Sequence, residues 1–405
     1  MTDHLCDKEI VLGVSGGIAA YKAVELLRLL TRRGARVRVI MTENATRFVT
    51  PLTFAALSGR SVCSGLFGEE DREADAAIRH IEWAREADAV VIAPATANLV
   101  GKLAGGIADD ALTTFALAVT VPVLICPAMN THMYENRAVG RNIDRLEADG
   151  YRIVEPSAGS LACGTTGPGR LPEPEEILYY LDCALTPQDL NGQRILITAG
   201  PTREPIDPVR YISNHSSGKM GYALARAAAR RGAAVTLVAG PTGLPVPTGV
   251  SLIGVESAAE MAEAVFAAMD TSDVIVKSAA VADYAPRERA GQKIKKSEAV
   301  MGIELVKTVD ILKELGQRKT GQVLVGFAAE TESLEANALA KLETKNLDLI
   351  VGNLVGLPGT GFGADNNTVT LFHRDGRREA FPNLPKDDVA DLVLDRVAAL
   401  AGRRS

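Results

Sequence analysis

Short apolar runs alternate with helical patterns along this chain, and the alternation occurs twice. Apolar runs of this length are typical of buried strands, and strands that alternate with helices favour parallel sheets. We therefore predict an α/β fold made of two doubly wound, Rossmann-like domains. The predicted strands are Ile10–Gly13, Arg36–Met41, Ala89–Ala93, Pro122–Cys126, Arg194–Thr198, Ala233–Val238, Val250–Val255, Asp273–Lys277, Gln322–Phe327 and Leu347–Val351.

A polar, turn-rich stretch, LTPQDLNGQ, separates the two alternating patterns. The chain has 405 residues, which is too long for one ordinary hydrophobic core. We predict domains at residues 1–185 and 194–405, joined by a linker at 186–193. A hairpin around Asp375-Gly376 and a helix over Asp387–Ala401 are predicted to complete the second domain.

The composition excludes several classes of protein. A net charge of -6 argues against a dedicated nucleic-acid-binding protein. No apolar run reaches the ~18 residues of a transmembrane helix, and the N-terminus MTDHLCDKEI lacks the apolar core of a signal peptide. The five cysteines are scattered and never spaced as CxxC, which argues against structural zinc and a disulfide framework. We predict a cytoplasmic protein that binds small molecules and has no nucleic-acid or membrane partner.

A glycine-containing turn, Gly13-Val-Ser15-Gly16-Gly17-Ile18, joins the first predicted strand to its helix. Glycines let backbone amides approach an anion, and the dipole of the helix that follows favours a phosphate. The turn is not GxGxxG, and the second strand ends in Met41-Thr42 instead of an acid that binds a dinucleotide ribose. The pattern favours a mononucleotide such as FMN over NAD, and a tight turn without a ligand is an equally open alternative.

The second half contains an unusually long connection, Ala199–Gly221, between a predicted strand and the helix Tyr222–Arg231. Its end, Gly218-Lys219, resembles a Walker A motif. Met220, however, replaces the Ser/Thr that would bind magnesium, and Ser213 replaces the first glycine. We therefore predict a nucleotide or phosphate site that is not a standard P-loop.

The motifs of both halves resemble known families. The glycine turn, His80 in RHIEWA, and the sequences APATAN, PAMN and ACGTTGPGR are similar to the flavin-containing cysteine decarboxylases. The segment AGPTREPIDPVRYISNHSSGKMG, with AAVADY and KIKK, resembles phosphopantothenate–cysteine ligases. In this order, over nearly the whole chain, they resemble the bacterial bifunctional phosphopantothenoylcysteine decarboxylase/phosphopantothenate–cysteine ligases of coenzyme A synthesis.

For the first half the resemblance implies a flavodoxin-like flavoprotein domain that binds FMN. Decarboxylation of a cysteinyl group needs an electron sink, which flavin can supply by oxidising the thiol to a thioaldehyde and later reducing the enethiol. His80 matches the catalytic histidine, Asn130 the residue that engages the substrate carboxylate, and Cys163 the proton donor. Without the motif context, His80 reads as an ordinary histidine, Asn130 as a helix cap, and Cys126 as a small buried hydrophobe. The residues that match the flavin site are Ser15, Gly16, Gly17, Thr42, Thr96, Asn98 and Met129.

For the second half the resemblance implies a nucleotide-binding ligase domain that uses CTP, Mg2+, 4'-phosphopantothenate and cysteine, and forms a phosphopantothenoyl-cytidylate. Arg210 and Asn214 match residues that act on this intermediate, and Lys293 matches the family's functional flap lysine. Lys293 follows a polar stretch, Pro286–Gln292, that is typical of a mobile flap, and a solvated basic surface turn is the alternative. Asp283 is the candidate metal-binding residue, with a turn cap as the alternative. The residues that match the nucleotide pocket are Lys277, Ser278, Ala279, Asp283, Lys293, Val309, Asp310, Ile311, Leu312, Phe327, Lys341 and Lys345.

The sequence departs from the ligase pattern at two places. Thr308-Val309 stands where Asn-Pro is usual, and Ala285-Pro286 stands where Arg-Pro is common. Both changes lie near the presumed nucleotide site, so they put the base contacts in question but not the reaction.

Other functions and the assembly follow from the same resemblance. The alternatives are a decarboxylase with an inactive ligase half, a flavin-binding regulatory subunit, and a decarboxylase of peptide C-terminal cysteines. The regulatory reading predicts loss of His80 or Cys163, and the peptide reading requires no second domain. Because flavin-domain relatives form trimers and ligase domains form dimers, a homododecamer is the predicted closed assembly.

Overall fold

The structure is a computed structural model that describes residues 4–65, 81–160, 164, 166–295, 301–330, 332–354 and 363–402. The chain forms two compact units, Met1–Pro187 and Gln188–Ser405, and the boundary falls inside the predicted linker. Each unit contains its own sheet, wholly parallel in the first unit and mainly parallel in the second, with helices packed against it, so the predicted fold class is confirmed.

The first unit is built on a six-stranded parallel sheet. The strands are β1 Glu9–Val14, β2 Arg36–Met41, β3 Val62–Cys63, β4 Ala89–Ala95, β5 Val123–Pro127 and β6 Arg152–Ile153. Their order in the sheet is β3-β2-β1-β4-β5-β6. Every residue of β4 is buried, as expected for a central strand with helices on both faces. The helices are α1 Ala20–Arg32, α2 Glu43–Thr46, α3 Pro51–Ser58, α4 Ala97–Gly105, α5 Ala111–Ala118, α6 Thr131–Tyr134, α7 Arg137–Ala148 and α8 Pro174–Leu185, and residues 81–86 are also helical.

The second unit has an eight-stranded sheet whose order is β13-β12-β9-β14-β17-β18-β19-β20. The strands pair in parallel up to β18, and the predicted hairpin adds the last two strands antiparallel. These strands are β9 Arg194–Ala199, β12 Ala234–Ala239, β13 Val250–Gly254, β14 Val274–Lys277, β17 Val323–Glu330, β18 Leu349–Leu354, β19 Asn366–His373 and β20 Arg378–Pro385. The helices are α9 Lys219–Arg230, α10 Ala258–Met269, α11 Ile311–Arg318, α12 Leu334–Thr344 and α13 Lys386–Ala401.

In the part of the chain that the structure describes, three two-stranded hairpins lie between these elements, and the sequence patterns predicted none of them. In the first unit β7 Ser157–Ser160 pairs with β8 Thr166–Arg170. In the second unit β10 Arg203–Pro205 pairs with β11 Tyr211–Ser213, and β15 Tyr284–Pro286 pairs with β16 Leu305–Lys307. The long connection after β9 is therefore partly regular structure, and the predicted flap Pro286–Gln292 begins at the last residue of β15.

The first residues of the second unit are fixed to it by specific contacts. Leu190 is completely buried in the core formed by β9, α9 and α13. Its amide donates to the Arg231 carbonyl over 3.1 Å, and the carboxylate of Asp189 pairs with the Arg231 guanidinium. These residues of the predicted linker are part of the second unit's packed structure.

Within the described residues, no helix has both the length and the apolar composition needed to cross a membrane.

Candidate functional site

A cavity of about 940 Å³ opens at the carboxyl ends of β1, β2, β4 and β5 in the first unit. We call it the first cavity. Open α/β sheets bind ligands at this edge. Its walls include the predicted residues Ser15, Gly16, Gly17, Thr42, Thr96, Asn98, Met129 and Asn130. The structure thus brings together all the predicted flavin-site residues and Asn130, and their roles remain predictions.

Ser15 joins two of the turns that form the first cavity. Its hydroxyl donates to the Pro94 carbonyl over 2.7 Å and accepts a hydrogen bond from the Thr96 amide over 2.9 Å. The residue is only 1% exposed, so this hydroxyl mainly fixes the turns after β1 and β4 relative to each other. Thr96 also caps α4, because its hydroxyl accepts from the Leu99 amide.

Gly16 lies where only a residue without a side chain fits. A Cβ at this position would lie 2.7 Å from the backbone carbonyl carbon of Asn44, whereas a Cβ at Gly17 would lie 3.5 Å from its nearest neighbour, Thr96. The first turn of α1 carries no capping hydrogen bond from a described side chain, and the amides of Ala20 and Lys22 donate to the carbonyls of Gly17 and Ala19. This glycine turn and uncapped helix N-terminus fit the phosphate of a flavin mononucleotide.

Asn130 is placed by the turn after β5. Its side-chain oxygen caps α6 by accepting from the His132 amide over 2.9 Å, as the capping alternative requires. The preceding Met129 amide donates to the Gly169 carbonyl, and a Cβ on Gly169 would collide with the Met129 carbonyl oxygen. The β7–β8 hairpin therefore packs directly against the PAMN turn. Cys163, in the connection of that hairpin, and His80 lie outside the described residues.

The cavity wall also contains a charged group that the sequence analysis missed. The Lys102 ammonium lies 2.7 Å from Asp109 and 3.1 Å from Asp110. The hydrogen bond to Asp109 raises the pKa of Lys102, so the lysine remains charged at neutral pH. Asp110 caps α5 in a reciprocal arrangement with Thr113. Asp110 stands directly before the apolar run Ala111–Ala118, and an acid in that position is a helix N-cap signal that would have located one member of this group.

The Cys126 side chain is not part of this chemistry. It is fully buried in the core, and burial raises the pKa of its thiol. The interpretation of Cys126 as a small buried hydrophobe is confirmed.

A second, smaller cavity of about 150 Å³ lies at the carboxyl ends of β14, β17 and β18 in the second unit. We call it the second cavity. Predicted residues Ser278, Ala279 and Phe327 line it together with Ser216, Ser217 and Gly218 at the start of α9. Two asparagines that the sequence analysis missed, Asn353 and Asn367, also line it. Their side-chain oxygens are buried without a hydrogen-bond partner among the described residues, which marks the cavity as a site for a polar ligand.

Several polar side chains hold the turn after β14. The Asn214 amide group donates to the Ala280 carbonyl over 2.7 Å, and its oxygen accepts from the Ser216 amide. The buried hydroxyls of Thr198 and Thr202 accept from the amides of Ala279 and Ala282. Asn214 therefore connects the segment before α9 to the turn that lines the second cavity.

The ammonium group of Lys219, the lysine of the Walker-like sequence, is bonded to a loop of the same unit. Its ammonium lies 2.7 Å from Asp365 and donates to the Gly363 carbonyl over 3.0 Å. A standard P-loop lysine must reach the phosphates, so this pairing agrees with the prediction that the motif is not a standard P-loop.

Four predicted charged residues form a group beside the second cavity. The Lys345 ammonium lies 2.8 Å from the Asp310 carboxylate, and Lys341 lies 2.7 Å from Glu330. Burial and the positive charge of Lys345 lower the pKa of Lys277 to about 8. Lys277 donates to the Ala279 carbonyl over 3.1 Å, so it lies under the turn that lines the cavity. The charges are suited to a polyphosphate.

The remaining predicted nucleotide residues differ in exposure. Ile311 and Leu312 are 2% and 6% exposed and pack in the core, so they can offer a ligand only backbone atoms. Val309 is 50% exposed. At the sequence departure beside it, the Thr308 hydroxyl donates to the Ala282 carbonyl over 2.6 Å. At the second departure, Ala285 and Pro286 pair with Val306 and Leu305 in the hairpin of β15 and β16.

The Asp283 side chain is exposed. Among the described residues, no group of three acidic, histidine or cysteine side chains is arranged to hold a metal ion alone. One carboxylate beside a polyphosphate is nevertheless a common way to bind Mg2+, which retains waters and phosphate oxygens as ligands. The assignment of Asp283 as a metal-binding residue stays a prediction.

Arg210 and Lys293 lie on adjoining segments. Arg210 pairs with the buried Asp207 and donates to the Ile294 carbonyl over 3.1 Å. Lys293, one residue earlier, has an exposed side chain. The structure thus brings Arg210 to the predicted flap, but neither residue lines the second cavity.

Comparison with known proteins covers both units. The family model for flavoproteins matches residues 2–185, and that for the C-terminal domain of DNA/pantothenate metabolism flavoproteins matches residues 190–400. The coenzyme A biosynthesis bifunctional protein CoaBC of Bacillus subtilis (strain 168) is 52% identical over 408 residues, covering 99% of this chain and 100% of the relative. The proteins of the same name from Vibrio cholerae serotype O1 and Escherichia coli (strain K12) are 49% and 48% identical, covering 96% and 97% of this chain and 98% and 97% of their own lengths.

Proposed function

Because the chain belongs to the family of coenzyme A biosynthesis bifunctional proteins, we propose that it converts 4'-phosphopantothenate and cysteine to 4'-phosphopantetheine in two steps. The chain is an enzyme with a ligase and a decarboxylase activity. The second unit would join the two substrates at the expense of CTP, and the first unit would decarboxylate the 4'-phosphopantothenoylcysteine that results.

In the ligase step, the carboxylate of 4'-phosphopantothenate attacks the α-phosphate of CTP and releases pyrophosphate. The cysteine amine then attacks the acyl carbon of the cytidylate and releases CMP. The lysines beside the second cavity would offset the charge of the phosphates, and Asp283 would bind Mg2+ with phosphate oxygens. Asn214 and Arg210 would orient the cytidylate, and Lys293 would reach the phosphates from the flap.

In the decarboxylation step, FMN bound in the first cavity would supply the electron sink by accepting two electrons from the substrate and returning them. The glycine turn and the start of α1 would bind its phosphate. The Asn130 side chain would orient the substrate carboxylate, and Cys163 would deliver a proton to the carbon of the enethiol. His80 would be the catalytic histidine of this site.

The observation that carries the proposal is the pairing of two cavities with two family matches. Each unit has a cavity at the carboxyl edge of its own sheet, and motifs that resemble those of the two families line it. The alternative of a flavin-binding regulatory subunit does not require the second cavity or the charged group beside it.

The test is to incubate the purified protein with 4'-phosphopantothenate, cysteine and either CTP or ATP. We expect yellow protein, pyrophosphate and CMP from CTP, and CO2 once ligation has occurred. Formation of 4'-phosphopantothenoylcysteine without CO2 would remove the decarboxylase step. CO2 release from supplied 4'-phosphopantothenoylcysteine without ligation would favour a chain whose ligase half is inactive.

The proposal extends to assembly and location. We propose a homododecamer in the cytoplasm, with four trimers of the first unit joined by six dimers of the second. Light scattering of the intact chain tests the assembly. A monomeric protein that retains FMN and both activities would exclude it.

A further inference from the structure

The Asp207 carboxylate, which no predicted site includes, is buried in the turn between β10 and β11. Its side chain is 0% exposed. A buried charge is costly unless hydrogen bonds and an opposite charge compensate it. The partners of Asp207 therefore show what its burial achieves.

One oxygen of Asp207 serves its own turn. Asp207 Oδ1 accepts from the amides of Val209 and Arg210, each over 2.8 Å. These two bonds are the local pattern by which an aspartate commonly stabilises a turn. They would suffice for a purely structural role.

The other oxygen of Asp207 reaches a segment far away in the sequence. Asp207 Oδ2 accepts from the Ile294 amide over 3.1 Å and from Arg210 Nε over 3.0 Å. The Arg210 guanidinium donates in turn to the Ile294 carbonyl. A turn needs no bond to a residue 87 positions away, so this second set of contacts calls for another role.

A third contact extends the same attachment. The Ala290 amide donates to the Ile206 carbonyl over 2.9 Å. The segment Ala290–Ile294, which contains Lys293, is thus bonded to the turn at Ile206, Asp207 and Arg210. Because the Lys293 side chain is exposed, its position depends on how firmly the backbone beside it is held.

The charge of Asp207 is maintained over a wide pH range. The hydrogen bond from Arg210 holds the pKa of the Asp207 carboxyl well below its usual value, and the backbone amides add to this effect. The carboxylate remains ionised at every pH at which a ligase of this type would be assayed.

We propose that Asp207 is a positioning residue of the ligase site, which fixes Arg210 and the backbone beside Lys293 so that both cations are held ready for the phosphorylated substrates. The inference rests on the proposed ligase function and adds a residue to it. Residues that hold a reacting group in its productive orientation can raise the reaction rate by large factors, because a small misplacement weakens contacts with the transition state.

The main test compares Asp207→Asn with Asp273→Asn in the full chain. Asp273 is a matched control, because it also pairs with an arginine, Arg194, and accepts from that residue's backbone amide, but it lies at the amino end of β14. We expect Asp207→Asn to slow pyrophosphate release by about tenfold or more, with decarboxylation of supplied 4'-phosphopantothenoylcysteine within about twofold. Asp273→Asn should change neither rate.

Two further readouts separate positioning from general stabilisation. Amide hydrogen exchange over 290–294 should accelerate in Asp207→Asn and remain unchanged in Asp273→Asn. The double variant Asp207→Asn/Lys293→Gln should lose less rate than the product of the two single losses, because Asp207→Asn already displaces Lys293. If Asp207→Asn fails to fold, Ile294→Pro, which removes the amide donor while leaving Asp207 and Arg210 in place, should give a comparable loss of pyrophosphate release.

The outcomes are distinct. Unchanged exchange at 290–294, multiplicative rate losses in the double variant, or a fully active Ile294→Pro would each overturn the role of Asp207. Wild-type protein that releases no pyrophosphate with CTP or ATP would instead overturn the proposed ligase function, and this inference with it.

Discussion

The Ser15 hydroxyl accepts a hydrogen bond from the Thr96 amide over 2.9 Å, although the two residues follow different strands. This bond holds together the turns after β1 and β4, which form adjacent walls of the first cavity. The flavin site that we propose therefore depends on the exact fit of two short turns, and substitutions in them should affect binding before they affect the rest of the fold.

Gly16→Ala should impair flavin binding and lower the free energy of unfolding of the first unit. The new Cβ would lie 2.7 Å from the Asn44 backbone, and overpacking of this kind costs about 1–3 kcal/mol. Gly17→Ala is the matched control, since its nearest neighbour lies 3.5 Å away. Flavin absorbance and thermal unfolding of both variants provide the measurement. Equal melting temperatures for the two would contradict the argument.

Asn214→Asp should abolish transfer to cysteine while cytidylate formation persists. The substitution removes the amide that donates to Ala280, and it places a negative charge beside a phosphorylated intermediate. The lost hydrogen bond should also destabilise the second unit by about 1–3 kcal/mol. Release of pyrophosphate without CMP, measured in the presence of cysteine, is the expected result.

A control for that variant is Asn346→Asp. Asn346 also donates from its side chain to a backbone carbonyl, that of Gly316, over 2.9 Å. It lies outside both cavities. The control should keep full ligation, and an Asn214→Asp variant that ligates like it would exclude Asn214 from the site.

The ligase should lose affinity for its nucleotide as the pH rises through about 8. The pKa of Lys277 is lowered to about 8 by burial and by Lys345, so its charge disappears above that pH. One unit higher, only about a tenth of the lysine is protonated. We expect KM for CTP to rise severalfold between pH 7 and 9, and Lys277→Arg to flatten the profile. A pH-independent KM in the wild type would show that the charge of Lys277 does not contribute.

The same lowered pKa gives a stability prediction with a definite sign. Between about pH 8 and 10.5 the unfolded chain binds a proton at Lys277 that the folded chain has lost. The unfolded state then binds more protons, so this residue's contribution to the free energy of unfolding rises with pH in that window. Denaturant titrations at pH 7.5 and 9.5 measure this effect. Between the two pH values, the free energy of unfolding of the wild type should rise relative to that of Lys277→Met.

Cys163→Ser should stop the decarboxylation sequence after CO2 has been lost. If Cys163 protonates the enethiol carbon, the variant retains flavin binding and the oxidative half of the reaction, so reduced flavin and an enethiol accumulate. Absorbance of the flavin during a single turnover distinguishes this outcome. Normal turnover to 4'-phosphopantetheine would exclude the assignment.

Much of the fold could be predicted because strands in parallel sheets are continuous apolar runs. Arg36–Met41 has the predicted bounds, and β4 extends the predicted strand by two residues. The three hairpins were missed because their strands are short and carry residues such as Pro205 and Gly167. Their pairing depends on contacts with distant segments, which local periodicity does not reveal.

The candidate sites could also be predicted only in part from the sequence. Motifs at strand ends correctly grouped the walls of the first cavity, because the carboxyl ends of parallel strands meet at one edge. Motif matching could not distinguish side-chain from backbone roles at Ile311 and Leu312, which are buried. It also missed Asp207, because nothing local indicates that a turn aspartate also binds the amide of Ile294.

The burial of Leu190 has a practical consequence for anyone who wishes to express the two halves separately. A second half that begins at residue 194 would lack this leucine, leaving a hole in the core that costs about 2–5 kcal/mol. It would also lack Asp189, so the buried guanidinium of Arg231 would lose one of its two carboxylate partners. A gene divided between the codons for Pro187 and Gln188 keeps both residues with the unit they stabilise.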